Sequence, residues 1–326
     1  MHIGPLIFQE VYKPKPWGGR ALKRVARKPI PPDEPIGESW EISDHPHGPS
    51  EVKGGPLEGR RLRELMRHHG EKILGRPADG ERFPLLIKII DASERLSVQV
   101  HPDDATARAL KLNDTGKTEA WVVLESRRDG CIISGLKSYR VADRLRELVE
   151  EEKLGRHLAR IRPKRGEVWF CPAGTVHALG PGVVLLEIQQ NSDATLRLYD
   201  WGRVGLDGKP RPLHIKESIR ATGGHARRLR PCKPRRLKSL PFPGERLLRC
   251  EKFIIDRWHV SKRARHGYRD GFEILHVVDG AGELKDPQWP AVRLEKGVTV
   301  LIPASVEYYE LSPKRPLKLI RTIEPR

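Results

Sequence analysis

The sequence predicts a mostly β protein: a small antiparallel barrel carrying a short helical insert, followed by a second, smaller β domain. Three observations carry this expectation. The 326-residue chain holds 28 prolines and 30 glycines, which break it often and suit short strands joined by turns. Its apolar stretches are short, and several alternate with polar residues, the strand period. One turn pattern with fixed glycine and proline positions occurs twice.

In chain order, residues 1–60 read as loops and short strands, because Pro14, Pro16, Pro29, Pro31, Pro32 and Pro35 oppose regular helix. Residues 59–75, with Leu62, Leu65, Ile73 and Leu74, read as a short helix. Residues 83–90 form an apolar run, a buried strand, and residues 96–101 alternate as a second strand. Residues 121–124 and 131–133 give two more. The period then changes. Leu145, Leu148, Val149, Leu154, Leu158 and Ile161 lie on a polar background, an amphipathic helical insert over 141–161. Strands resume at 167–170 and 183–188. Gly223-Gly224 closes that segment. Residues 227–238 hold seven Lys and Arg, two prolines and no acid, a run that cannot bury itself. The expected division is a metal-binding domain over 1–228, a basic linker over 229–240 and a metal-free β domain over 241–326.

Composition excludes several classes. No apolar run is long enough to span a membrane. The first residues lack a basic stretch leading into an apolar one, so no secretory signal is expected. Cys131, Cys171, Cys232 and Cys250 form no CxxC pair, and four thiols are not a disulfide framework. A reducing cytoplasm is the expected compartment. The net charge of +18 (61 Lys+Arg, 43 Asp+Glu) admits a polyanion partner or an anionic small substrate. The basic run contains no aromatic side chain for base stacking, and no nucleic-acid module is present. The expected partner is therefore a small anion, with neither nucleic acid nor membrane, on a monomer or weak homodimer.

The repeated turn reads Gly166-x5-Pro172-x-Gly174-x2-His177, then Gly297-x5-Pro303-x-Ser305-x2-Tyr308. The first copy resembles the second signature motif of the cupin superfamily, a jelly-roll-type β-barrel, and implies that fold. The final position of the motif points into the barrel. His177 can bind metal there, whereas the phenol of Tyr308 is a poor ligand. Gln99 and His101, at i and i+2 on a strand, share one face. Glu119 follows just before the next strand. One amide oxygen, two imidazoles and one carboxylate suit Zn²⁺ or a similar ion. The ligand charge of −1 leaves bound zinc net positive, a Lewis acid.

At these residues the chain resembles the class I mannose-6-phosphate isomerases, in their short bacterial form. The resemblance runs through Pro16-Trp17-Gly18-Gly19 and Gly37-Glu38-Ser39-Trp40-Glu41-Ile42-Ser43. It continues in Leu96-Ser97-Val98-Gln99-Val100-His101-Pro102-Asp103-Asp104 and Gly116-Lys117-Thr118-Glu119-Ala120-Trp121. It ends in Pro172-Ala173-Gly174-Thr175-Val176-His177-Ala178 and Asn191-Ser192-Asp193-Ala194-Thr195-Leu196-Arg197. It implies one zinc on Gln99, His101, Glu119 and His177, and interconversion of mannose 6-phosphate and fructose 6-phosphate. It implies active-site roles for Arg197 and Lys117, an acid at Asp193, and a phosphate site at Ser97, Lys88 and Arg203. Lys117 shares the strand face of Glu119, and a nearby cation is expected to lower its pKa. A sugar-phosphate-binding cupin without turnover, or an isomerase of an unphosphorylated sugar, are the alternatives. An iron oxygenase is disfavoured by Gln99 among the ligands.

Overall fold

The computed structural model describes residues 2–267 and 271–325. The first part of the chain runs β1 (Val11–Gly19), α1 (Ala21–Val25), β2 (Ile36–Ile42), α2 (Leu62–Leu74), β3 (Leu85–Ala92), β4 (Val98–Val100), α3 (Asp104–Ala109), β5 (Glu119–Ser126) and β6 (Ile132–Leu136). It continues with α4 (Tyr139–Asp143), α5 (Leu145–Glu150), a 3-10 turn (Leu154–His157), β7 (Leu158–Ile161), β8 (Val168–Cys171), β9 (Ala178–Leu179), β10 (Val183–Gln190), β11 (Leu196–Tyr199) and α6 (Ile215–Thr222). A six-stranded antiparallel sheet, β1-β2-β3-β10-β5-β8, is joined by the small sheets β4-β11 and β7-β6-β9.

The two faces of the large sheet explain the architecture. Along β10, Val184, Leu186 and Ile188 join the core that packs on α2 and the N-terminal segment. Val183 and Leu185 join a second core with Trp121, Trp169, Ile132 and Leu179, between the large sheet and the β6–β9 sheet. Strand alternation puts Glu187 on that same inner face. The barrel interior is thus apolar at one end and charged at the other, where Lys88, Glu119 and Glu187 sit at 5% exposure or less.

The second part forms one eight-stranded sheet from β12 (Arg235–Leu237), β13 (Gly244–Arg249), β14 (Ile254–Val260), β15 (Ala264–Gly267), β16 (Glu273–Lys285), β17 (Val292–Glu295), β18 (Thr299–Ile302) and β19 (Tyr308–Ile323). Trp258, Leu275, Val277, Val300 and Tyr309 fill its own core. Leu247, Phe253, Ile255, Ile274 and Leu301 instead belong to the first domain's larger core. Apolar packing therefore runs across the junction. Leu6 and Leu301 exchange backbone hydrogen bonds of 2.8 and 2.9 Å there. Gly297 has φ +91°, and a Cβ on it would stand 1.8 Å from the Ala26 carbonyl oxygen, so only glycine fits that approach.

Several expectations change. The insert is helical only in part: residues 158–161 form β7 and pair with β6. A one-turn helix, α1, fits between the prolines of the N-terminal stretch, which are too far apart to break it. Residues 229–240 are not a free tether. Leu229 is 2% exposed, its amide donates to the Ser134 carbonyl and that of Cys232 to Val168, and β12 pairs with β13. One buried leucine and edge-strand bonding suffice to fix the segment while its Lys and Arg stay in water. In the second copy of the repeat, Tyr309 is the buried ring; Tyr308 is half-buried beneath the Arg265 guanidinium, 3.4 Å from the ring centre. No helix among the described residues is long and apolar enough to cross a membrane.

A buried polar chain crosses the junction. Lys28 donates to Glu41 at 2.6 Å, the Thr299 hydroxyl donates to the same carboxylate at 3.2 Å, and His276 Nδ1 lies 2.9 Å from Thr299 Oγ1. Burial, with the Lys28 charge adding to it, pushes His276 down to about 3. The native protein thus holds it neutral while the unfolded chain protonates it near its ordinary 6.5. Below that pH the unfolded state binds the extra proton, so His276 costs stability as pH falls from 6.5 to about 3, by roughly 1.4 kcal/mol per pH unit. His276→Gln, which can still bond Thr299, is expected to flatten the acid limb of unfolding free energy in that window. Urea titrations at pH 4 to 7 measure it, and parallel curves for the two proteins would refute the assignment.

Candidate active site and its metal-binding group

The site is assembled at the charged end of the first barrel. Gln99 lies on β4, and its backbone exchanges hydrogen bonds of 2.9 and 3.0 Å with His177. His101 follows β4 directly. Glu119 opens β5, opposite Cys171 on β8 and Gln189 on β10. His177 reaches this position because Gly166 (φ +87°) and Gly174 (φ +81°) turn the chain around β8.

His101, Glu119 and His177 are each 1% exposed, and one ligand atom from each falls in a single small group. His101 Nε2 is 3.3 Å from Glu119 Oε2, and His177 Nε2 is 3.3 Å from Glu119 Oε1. Each imidazole turns its other nitrogen to a carbonyl: His101 Nδ1 to Ala194 at 2.8 Å, His177 Nδ1 to Thr175 at 2.9 Å. This fixes the tautomer and leaves both Nε2 lone pairs aimed at the carboxylate, the arrangement of metal-binding histidines. Burial pushes His101 down to about 3 and lowers His177, so both are neutral. The Gln99 amide lies 3.2 Å from His177 Nε2. Its nitrogen and oxygen exchange by a simple flip, so it can offer the oxygen a cation needs. Two neutral imidazoles, one carboxylate and one amide fit a borderline divalent ion.

The cavity beside this group has a volume of about 300 Å³. Its wall includes Ser97, Lys88, Lys117, Asp193 and Arg197, so these expected residues do converge. Arg197 is the cross-strand partner of Gln99, which sets the two side chains next to each other on one face. Its Nε is buried without a hydrogen-bond partner among the described residues. Burial, then the charge of Arg211, lowers its pKa.

The surroundings of three expected residues bear on their roles. With no metal bound, Lys117 is held above its ordinary pKa. Its burial works downward, but Glu119 at 2.8 Å and Glu187 at 3.9 Å outweigh it. Lys88 is not a free cation. It sits 3.6 Å from Glu38, 3.7 Å from Glu187 and 4.7 Å from the centre of the Trp40 ring. Arg203 is absent from the cavity wall. Its guanidinium is spent on the Arg95 carbonyl and, at 2.7 Å, on Asp200.

The sequence reading missed Lys15, Glu38, Glu187 and Arg211, which also line the cavity. Glu187 carried a signal, being the one charged residue in a strand that opens on four apolar ones. Burial and the Glu119 charge, against Lys117 and Lys88, push it up to about 7. Burial alone would raise Glu38, but Lys88, Lys15 and the Trp40 indole hold it down to about 2. His47, also unforeseen, meets Asp193 at 2.9 Å on the rim, and with His45 these make a second His/Asp group.

Comparison with known proteins agrees with this geometry. The family profile for the phosphomannose isomerase type I catalytic domain matches residues 6–119. A mannose-6-phosphate isomerase of Bacillus subtilis is 35% identical over 316 residues, covering 95% of this chain and 96% of the relative. One from Streptococcus mutans is 33% identical, covering 94% of each. The crystal structure of the mannose 6-phosphate isomerase from Bacillus subtilis superposes with a TM-score of 0.87 at 33% identity, over 98% of this chain and all of that one. Likeness of this extent, over nearly the whole of each chain, places the protein in the type I phosphomannose isomerase family.

Proposed function

We propose that the protein is a zinc-dependent isomerase that interconverts mannose 6-phosphate and fructose 6-phosphate, with Gln99, His101, Glu119 and His177 as the metal ligands. The observation that carries this reading is the buried His101–Glu119–His177 group, both Nε2 atoms 3.3 Å from one carboxylate, opening on a cavity lined by Lys117 and Arg197. Bound zinc supplies a Lewis acid for a sugar carbonyl or hydroxyl oxygen.

The remaining chemistry belongs to side chains. In the forward direction C2 of the aldose loses its proton and the C1 carbonyl oxygen gains one, giving a cis-enediol. C1 then gains a proton as the C2 hydroxyl loses its own, giving the ketose; no oxidant or co-reactant enters. Lys117 and Glu187, an ammonium and a carboxyl 3.9 Å apart in the wall, are assigned the proton transfers. Asp193 holds the rim through His47. Arg197, always charged, faces the oxyanion that develops along the way. Zinc as the metal and a reducing cytoplasm as the compartment complete the reading; the four cysteines are all unpaired, in keeping with the latter.

Isotope exchange tests it. Incubated with mannose 6-phosphate in D₂O, the protein should produce fructose 6-phosphate and place solvent deuterium on carbon, seen by proton NMR. Substrate recovered unchanged and undeuterated would exclude the isomerase.

A further inference from the structure

We infer that Arg211, not Arg203, is the arginine that takes the substrate phosphate. The inference rests on the phosphosugar reading above and deepens it. Three guanidinium groups, Arg197, Arg203 and Arg211, gather around one carboxylate, Asp200. The local sum is two positive charges without a partner anion among them. Only Arg197 and Arg211 reach the cavity wall.

The chain holds Arg211 there firmly. It comes from the loop between β11 and α6, which closes on itself through the Gly205 amide and the Lys209 carbonyl at 2.7 Å. The far end of that loop is tied to β11 by the His214 amide and the Arg197 carbonyl, also 2.7 Å. Asp200 then grips Arg211 along one edge, Nε at 2.8 Å and Nη2 at 2.6 Å. The Nη1 edge is left for another acceptor, and among the described residues no bond is formed to it. Arg203 differs. Both of its terminal nitrogens are already used, one on Asp200 and one on the Arg95 carbonyl.

Electrostatics favour an anion at this wall. Arg197 is half-buried, and the Arg211 charge makes its protonated state harder to hold. A phosphate dianion arriving between them relieves that repulsion, and its oxygens suit the planar fork of a guanidinium. Ser97, 4% exposed and on the same wall, adds a hydroxyl donor. Asp200 therefore acts as a positioning residue, aiming Arg211 with both oxygens while Arg203 shares its Oδ1.

The test separates phosphate binding from catalysis. Arg211→Ala is expected to raise KM for mannose 6-phosphate at least about tenfold, the loss of one charge-assisted contact, with a smaller change in kcat. Inorganic phosphate, as a competitive inhibitor and in calorimetry, should weaken by a similar factor. Arg211→Lys, which keeps the charge but loses the two-point grip on Asp200, should fall between. Zinc content and melting temperature should match the parent, which separates lost binding from lost folding. An Arg211→Ala protein with parental KM and parental phosphate affinity would overturn the assignment. So would an Arg203→Ala protein with the larger loss of both. Phosphate calorimetry needs no turnover. A protein that binds phosphate through Arg211 but leaves mannose 6-phosphate unchanged would sustain this inference and defeat the isomerase reading.

Discussion

Glu119→Gln should leave a protein that no longer retains zinc through purification and turns over mannose 6-phosphate at least about a hundredfold more slowly. Loss of an outer hydrogen-bond partner already costs a metal site about 10–100-fold, and a ligand itself costs more. The residue is the only carboxylate in the group, and both imidazoles converge on its two oxygens at 3.3 Å. An amide of the same shape keeps the packing and removes the charge. It also takes from Lys117 the nearer of its two carboxylates, leaving Glu187 at 3.9 Å. Breaking a buried pair by removing one partner costs about 3–5 kcal/mol, so the metal-free variant should melt well below the metal-free parent. Elemental analysis, a turnover assay and a thermal melt read the three effects. Stoichiometric zinc with more than a tenth of parental turnover would contradict the ligand assignment.

Arg197→Ala should behave differently: zinc is retained, and kcat drops by about 10²–10³, the usual consequence of removing one donor to a developing oxyanion. The guanidinium stands beside Gln99 across the β4–β11 pair, and among the described residues it hydrogen-bonds through Nη1 alone, to the Pro212 carbonyl at 2.9 Å. Its buried Nε is unpaired, so a donor is available where the sugar would lie. KM should change less than kcat, because the interaction strengthens in the transition state. The contrast with Arg211→Ala, where KM carries the effect, tests whether the two arginines divide catalysis and binding. An Arg197→Ala protein with unchanged kcat would remove it from the chemistry.

That Gln99, His101, Glu119 and His177 gather in one place was legible because local rules bring them together. Two residues apart on a strand, Gln99 and His101 must share a face, and the Gly-x5-Pro-x-Gly turn must return His177 toward them. The barrel class was legible for the same reason, in the turn repeat and the short alternating runs. What escaped depends on convergence from distant segments. Glu38 arrives from β2, Glu187 from β10 and Arg211 from a loop, and no sequence spacing relates them. The polarity of Lys88 was visible in an apolar strand, but its neutralisation by Glu38 and Glu187 was not. Arg203 illustrates the limit of carrying a role along a motif. Three residues from Asp200, it is pulled onto that carboxylate, and Arg211 takes the cavity position instead. The basic run at 227–238 misled because one leucine and two backbone amides hold it, and neither is a compositional feature.

The most direct test of the whole account is fructose 6-phosphate formation from mannose 6-phosphate by metal-stripped protein, followed as zinc is added back. The account predicts no product before addition, and full activity at about one zinc per chain, with deuterium exchange from D₂O appearing in step. Zinc-loaded protein, its metal content confirmed by elemental analysis, that forms no fructose 6-phosphate would contradict it.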